Sequence, residues 1–308
     1  MKKQKIKFYG LLLAASVLAA ACATVPKNTA AADTDEFSLL PPDGAMYIWA
    51  DIKETRPLLE SISFDDLDLK KAGSVLDRSE TAAAVFSGAG TERFFINLRG
   101  KYPVFQAGFS LTFNRDWKKV KSLTGNPYWF SKKFGIGLAL DAQRALVSPE
   151  DPFARLPSGR TVEVPAGFNE FREGAVMSGW ITDPEKTVNE FLSSLGLPIQ
   201  LPAEDFFFNV VKSKDSNNRD MWELVFRVRT PSVNQARALV TIFSLARIFI
   251  INMPSGSAQD EKPGIANFLP ALFKNAPQRD DDVLTLVSDA FTTRETALLF
   301  SAISVYSQ

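Results

Sequence analysis

Short runs in which apolar and polar residues alternate are the feature that most constrains the fold of this chain. In one run, residues 105–113, Phe, Ala, Phe, Leu and Phe occupy every second position. A second run has large apolar residues on one side and charged residues on the other: Trp222, Leu224, Phe226 and Val228 against Glu223, Arg227 and Arg229. Successive side chains of a strand point to opposite faces, so the pattern predicts antiparallel strands with one buried face and one wet face.

These strands belong to two similar series of elements. The first series opens with a strand at 46–52 and a short helix. The second opens with a strand at 176–181 and a helix that Asp183 caps and Pro184 begins. Residues 94–99 (FFINLR) resemble residues 206–211 (FFFNVV). We therefore predict an α+β fold of two similar, duplicated units, each an antiparallel sheet with packed amphipathic helices, although an α+β chain of this length can contain such series by chance.

Each series is expected to continue with a helix and to close with a hairpin. In the first, Asn114 would cap a helix bearing Trp117 and Val120, and in the second Pro231 precedes a much longer helix. The predicted hairpins pair 136–140 with 145–148, and 283–287 with 297–305. The predicted organisation is a first unit at 37–155, a linker at 156–171 rich in Pro and Gly, and a second unit at 172–308.

The N-terminus has the organisation of a bacterial export signal. Four lysines within residues 2–7 precede an apolar run at 11–18, and three alanines lead into Cys22. The apolar run is too short to span a bilayer, which takes about 20 residues. We predict a signal peptide at 1–21, acylation of Cys22, and a polar tether at 22–36. The alternative is ordinary cleavage after an Ala-x-Ala motif, with Cys22 an unmodified thiol.

Composition excludes several classes of site. The chain has no histidine, and Cys22 is its only cysteine, which removes Ser-His-Asp and Cys-His nucleophiles and the common zinc sites. The acidic runs 65–68 and 280–282 are typical of solvated caps. Without the signal lysines, 31 basic residues stand against 35 acidic ones, so a nucleic-acid partner is not expected. We predict no enzymatic activity, cofactor or metal.

The second unit carries two unusually apolar helical segments. Residues 232–252 are apolar around most of a helix, with one narrow polar stripe. Residues 264–275 place apolar side chains on one face, and Pro270 should bend this segment or restrict it to short turns. Such helices either cover a sheet or contact lipid. The candidate membrane contacts are Phe243, Ile248, Phe249, Ile250, Ile265, Phe268, Leu269, Leu272 and Phe273.

The lipobox-like residues 19–22, the size and the apolar helices together resemble the spirochaetal (treponemal) outer-membrane lipoproteins. That resemblance implies an α/β fold whose amphipathic helices bind lipid and make bilayers more permeable. It also implies export and lipid anchoring at the outer membrane, since Ala23 and Thr24 rather than Asp follow the cysteine. Whether the protein is periplasmic or surface-exposed stays open.

The expected function is therefore that of a non-enzymatic, membrane-anchored lipoprotein whose partner is membrane lipid. The alternative is a periplasmic or surface scaffold that binds a protein or an apolar ligand. In that case exposed aromatic residues such as Tyr128 and Trp129 would be anchors, unless they belong to a strand edge.

Overall fold

The structure is a computed structural model that describes residues 36–61, 77–87, 93–157, 160–194, 200–251 and 265–306. It divides into two compact units between Val164 and Pro165, inside the predicted linker. The predicted signal peptide, the tether, Cys22 and the acidic run 65–68 lie outside the described residues. The described part is mixed α+β and its strand pairs are antiparallel, as the alternation predicts.

In its described residues, unit 1 is an antiparallel sheet with two helices. Its strands are ordered β1-β2-β3-β7-β6-β5-β4, which places β4 at an edge. The strands are β1 (Met46–Asp51), β2 (Ser79–Phe86), β3 (Phe94–Gly100), β4 (Trp117–Lys121), β5 (Pro127–Ser131), β6 (Ile136–Leu140) and β7 (Arg144–Ser148). The helices are α1 (Ile52–Ser61) and α2 (Val104–Phe113).

Unit 2 is also an antiparallel sheet with helices, and its described residues contain more helix than those of unit 1. Its strands are ordered β8-β9-β10-β12-β11, and a short β13 also pairs with β10. The strands are β8 (Met177–Ile181), β9 (Asp205–Lys214), β10 (Asp220–Arg229), β11 (Gln278–Asp280), β12 (Val283–Val287) and β13 (Phe291–Thr292). The helices are α3 (Phe168–Phe171), α4 (Pro184–Ser194), α5 (Val233–Ile251), a 3₁₀ turn (Ile265–Phe268), α6 (Leu269–Leu272) and α7 (Thr293–Tyr306).

Local sequence explains several of these elements. Asp183 caps α4, because its carboxylate accepts a hydrogen bond from the Lys186 backbone N–H and its carbonyl accepts one from Thr187. In β10 the alternation is confirmed, since Trp222, Leu224 and Val228 are buried. Pro270 lies in the first turn of α6, where its missing N–H breaks no helical hydrogen bond. The apolar segment around it is accordingly two short turns.

Three predicted elements are wrong. Residues 105–113 form α2 and not a strand, and the predicted helix with Trp117 and Val120 is strand β4. Residues 297–305 belong to α7, so β12 pairs with β10 and β11 instead of returning in that hairpin. Thr292 and Glu295 cap the N-terminus of α7. The Glu295 carboxylate accepts hydrogen bonds from the Thr292 N–H and Oγ1.

The duplication stays a prediction. Both units contain the order strand, helix, strand, strand, helix. However, the similar segments 94–99 and 206–211 fall on β3 and β9, which are the third strand of one unit and the second strand of the other. The local sequence likeness therefore does not coincide with the matching positions of the two topologies.

Candidate functional site: exposed apolar helix faces

The large apolar side chains that face solvent are concentrated on two helices. In the described part of the chain, three lie on α2, four lie on α5, and one occupies the turn between β4 and β5. They are Phe105, Phe109 and Phe113; Val233, Ile242, Leu245 and Ile248; and Leu123. Helix α2 belongs to unit 1 and helix α5 to unit 2.

Helix α2 is a largely apolar helix whose phenylalanine side chains point outward. Phe105, Phe109 and Phe113 follow at intervals of four and are 83%, 60% and 71% exposed. Ala107 and Leu111, two residues out of phase, are fully buried. Residues two apart in a helix lie about 200° apart, so the same alternation that predicts a strand also separates the two faces of a helix. Ala107 and Leu111 pack inward, and the three phenylalanines form an exposed stripe.

The inner face of α2 is seated closely on the sheet. Gly108 lies against Trp129 of β5, where an added Cβ would approach the indole Cζ2 to 3.1 Å. Before the helix begins, the buried Tyr102 hydroxyl lies 2.9 Å from Ser79 Oγ of β2, and burial raises the pKa of Tyr102 well above its ordinary value. Both contacts fix the helix from below. They leave the Phe109 and Phe113 rings, 4.5 Å apart, facing away from the sheet.

The surroundings of α2 are strongly basic. Residues 101–135 contain seven basic side chains and one acidic one, a net charge of +6 in a chain that is neutral overall. The acidic residue, Asp116, is bonded to Lys133 at 3.2 Å. Lys119 stands opposite Trp129 in the β4–β5 register, with its Nζ 5.4 Å from the ring centroid. Because side chains two apart on a strand share a face, Lys121 leaves β4 on the side that carries α2.

Helix α5 changes character along its outer face. In its N-terminal half the exposed positions include Asn234, Arg237 and Thr241. In its C-terminal half they include Leu245 and Ile248, which are 53% and 56% exposed. Apart from Val233 at the start of α5, the exposed large apolar side chains therefore begin near the middle of the helix.

The inner face of α5 is part of the core of unit 2. Leu239 and Phe243 belong to a buried cluster with Leu201, Val228 and Leu284. Burial of side chains this large is worth about 1.5–3 kcal/mol each, which explains why this helix is apolar around most of its circumference.

The predicted membrane contacts divide between the core and the surface. Phe243, Ile250 and Phe268 are buried and pack against protein in this conformation, so their contact with lipid stays a prediction. Leu269, Leu272 and Phe273 are half-buried, and Ile248 is exposed. Phe273 stacks on Phe243 with ring centroids 5.8 Å apart. The side chains of Phe249 and Ile265 lie outside the described part of the structure.

The segment that contains α6 makes several polar contacts with the rest of its unit. The Arg247 Nε donates to the Lys274 carbonyl at 2.7 Å, and Lys274 Nζ pairs with Asp289 at 2.6 Å. The Asp289 N–H donates to the Ala271 carbonyl, and the Asn275 side-chain amide donates to the carbonyls of Val287 and Ser288 at the end of β12. Exposed ion pairs contribute little stability, about 0–1 kcal/mol each, so the half-buried apolar side chains carry much of this attachment.

The other predicted candidates have structural positions. Tyr128 and Trp129 lie on β5 and are buried, so they are not exposed anchors. Asp280 ends β11, and Asp281 and Asp282 form the turn to β12, where Asp281 has a φ of 49° and the Asp282 carbonyl accepts a hydrogen bond from the Thr230 hydroxyl. In the described ranges no group of three or more acidic, histidine or cysteine side chains is arranged to hold a metal ion.

The phenylalanine stripe of α2 is the functional candidate that the strand interpretation misses. A signal for it is present, because residues 105, 109 and 113 satisfy helical spacing as well as alternation. Residue 108 is a glycine, and glycine is unfavourable in the interior of a strand. The basic flank is equally visible in the sequence.

Within the described ranges, no helix is both long enough and apolar enough to cross a bilayer.

No family model and no curated protein sequence matches this chain. Among solved structures, crystal forms III, IV and I of TP0453, a treponemal protein, match with TM-scores of 0.56, 0.56 and 0.57 at 11%, 12% and 13% sequence identity. Each match covers 88% of this chain and 97–99% of the TP0453 chain. The α+β fold of this chain is thus similar to that of TP0453, which fits the treponemal part of the resemblance in the sequence.

Proposed function

We propose that this protein is a non-enzymatic, lipid-anchored protein of the outer membrane that binds membrane lipid through exposed apolar helix faces and perturbs the bilayer. The observation that carries the proposal is the concentration of exposed large apolar side chains on α2 and α5. Scattered apolar residues are normal on a protein surface, whereas stripes on helices are typical of interaction sites.

Lipid is the partner that the stripes favour. Transfer of one phenylalanine side chain out of water is worth about 1.5–3 kcal/mol, so the three on α2 supply several kcal/mol when they enter an interface. A helix with apolar residues on its outer face and basic residues around it can lie in the headgroup region without spanning the membrane. Acylation of Cys22, predicted from the sequence, would hold both faces near that interface.

Perturbation of the bilayer requires a second step. The faces that are already exposed allow docking in this conformation. Insertion of Phe243 and Phe268 would first remove them from the core of unit 2, and it would break the polar contacts of the α6 segment. The bilayer must favour the released state over the packed one for this step to occur.

The test is flotation of residues 23–308 with liposomes. This form lacks the acylated cysteine and keeps every described contact, because the described part begins at residue 36. We expect it to float with the vesicles. We also expect weaker flotation of Phe109→Ser and of Leu245→Ser, since each removes an exposed apolar side chain.

Ala238→Ser is the matched control, because it adds a hydroxyl at an exposed position of α5 without removing a large apolar group. Circular dichroism of each variant checks the fold. Failure of the wild-type form to float with any lipid composition would refute lipid binding. Flotation without release of an encapsulated dye would leave lipid binding and remove bilayer perturbation.

A further inference from the structure

We propose that unit 1 docks specifically on an anionic lipid surface through one composite face of α2 and β4. We call it the Phe–Lys face and define it by Phe105, Phe109, Phe113, Lys119 and Lys121. The proposal rests on the proposed function and goes further, because it assigns recognition to unit 1 and names the headgroup charge that is recognised.

The geometry joins apolar and basic groups on one side of the sheet. Gly108 on the inner face of α2 lies against Trp129, and Lys119 is the strand partner of Trp129. Lys119 therefore leaves β4 next to the helix, with its ammonium group 5.4 Å from the ring centroid of Trp129. Lys121 follows on the same side. The phenylalanines project from the far side of the helix, away from the strand.

This arrangement suits the two layers of a membrane surface. Aromatic rings enter the boundary between headgroups and acyl chains, and lysines next to them reach headgroup phosphates from flexible stems. The charge is local, since residues 101–135 carry a net +6 while the whole chain has equal numbers of basic and acidic residues. A neutral leaflet would interact with the phenylalanine rings alone, whereas an anionic leaflet would also attract the lysine side chains.

The experiment measures binding of residues 23–308 to vesicles of phosphatidylcholine alone and to vesicles in which part of it is replaced by phosphatidylglycerol. We expect tighter binding to the anionic vesicles. The double variant Lys119→Gln/Lys121→Gln should lose about fivefold in affinity for each charge removed, which corresponds to about 1 kcal/mol per lysine. Salt at about 1 M, where the Debye length falls to about 3 Å, should remove the preference for anionic lipid.

The matched control is Lys53→Gln/Lys186→Gln. It removes the same total charge from exposed positions on α1 and α4, and it should bind anionic vesicles as the wild type does. Phe109→Ser should weaken binding to both kinds of vesicle. All of these side chains are exposed, so circular dichroism should show the same fold throughout.

Three results would overturn the proposal, and they are distinguishable. Equal binding to both vesicle types, with no effect of the Lys119/Lys121 double variant, would leave lipid binding and reject anionic recognition. The absence of binding to any vesicle would reject the proposed function as well. A dimer in sedimentation velocity that Phe109→Ser dissociates, with vesicle binding unchanged, would show that a second copy of this chain covers the face.

Discussion

Gly108 of α2 and Trp129 of β5 are in such close contact that a methyl group on residue 108 would lie 3.1 Å from Cζ2 and 3.4 Å from Cη2 of the indole. Glycine in a helix costs about 0.5–1 kcal/mol relative to alanine. Its position here is explained by the short distance between helix and sheet. That distance keeps the small inward face of α2 against β5 and directs the phenylalanines to solvent.

Enlargement of residue 108 should therefore destabilise unit 1. We expect Gly108→Leu to lower the free energy of unfolding by about 1–3 kcal/mol, because the side chain overpacks the contact with Trp129. Urea denaturation followed by tryptophan fluorescence measures the change. The control is Thr112→Leu, which adds a similar side chain at an exposed position of the same helix and should change stability by less than about 0.5 kcal/mol. Equal effects of the two substitutions would contradict the seating of α2 on Trp129.

Phe243 and Leu245 are two residues apart on α5 and should behave in opposite ways. Phe243 lies in the core cluster and stacks on Phe273, whereas Leu245 is 53% exposed. We expect Phe243→Ala to cost about 3–5 kcal/mol of stability through the cavity it leaves. Leu245→Ala should cost less than about 0.5 kcal/mol. Thermal and urea denaturation of both variants provide the measurement, and similar losses would show that the burial of α5 is assigned to the wrong face.

Asp220 should make unit 2 sensitive to acid. The hydrogen bond from Lys214 and the charge of Lys212 hold the pKa of Asp220 below its ordinary value, with Lys214 Nζ 2.5 Å from Oδ1. A lowered folded-state pKa stabilises the protein above the unfolded pKa of about 3.9 and loses that contribution as the pH falls through the folded value. The carboxylate is partly exposed, so the contribution is about 1 kcal/mol or less.

The test of the Asp220 contribution compares the wild type with Asp220→Asn at two pH values. At pH 7 the variant should be less stable in urea denaturation. Near pH 3, below the unfolded-state pKa of about 3.9, the difference should shrink, because the unfolded state then binds a proton on Asp220 more readily than the folded state does. A difference of the same size at both pH values would exclude the ion pair as its source.

Asn209→Asp should have the opposite dependence on pH. The Asn209 side-chain amide is buried and donates a hydrogen bond to the Phe171 carbonyl. An ionised Asp has no proton to donate there, so we expect a loss of about 3 kcal/mol at pH 7. Burial would raise the pKa of this new carboxyl in the folded state, so the penalty should grow as the pH rises above about 4.

Asn209→Leu provides the comparison for that prediction. It removes the donor without adding a titratable group, and should cost about 1–3 kcal/mol at every pH. Parallel stability curves for the Asp and Leu variants between pH 3 and pH 7 would contradict the proposed role of the buried charge.

A segment was predicted correctly where its sequence fits one periodicity, and it was misassigned where its sequence fits the periodicities of both a strand and a helix. In residues 222–229, apolar side chains alternate with mostly charged ones over a segment that is short for a helix. They form β10. Residues 184–194 have a capping Asp and a Pro at the first helical position, and they form α4. Short strands without strong alternation, such as the alanine-rich β2, carry little local signal and are stabilised by their partners on both sides.

By itself, the sequence determined that the chain is α+β with antiparallel strands, where α5 begins, and that it has no histidine and a single cysteine, Cys22. Tertiary structure decided which apolar residues remain in contact with water. Residues 105–113 satisfy both a strand and a helix, and only packing against Trp129 selects the helix that exposes its phenylalanines. Likewise, α5 is apolar on nearly every side, and the sheet beneath it determines that Phe243 is buried while Ile248 faces out. The physical reason is that local periodicity specifies which side chains share a face, whereas burial of that face depends on a partner distant in sequence.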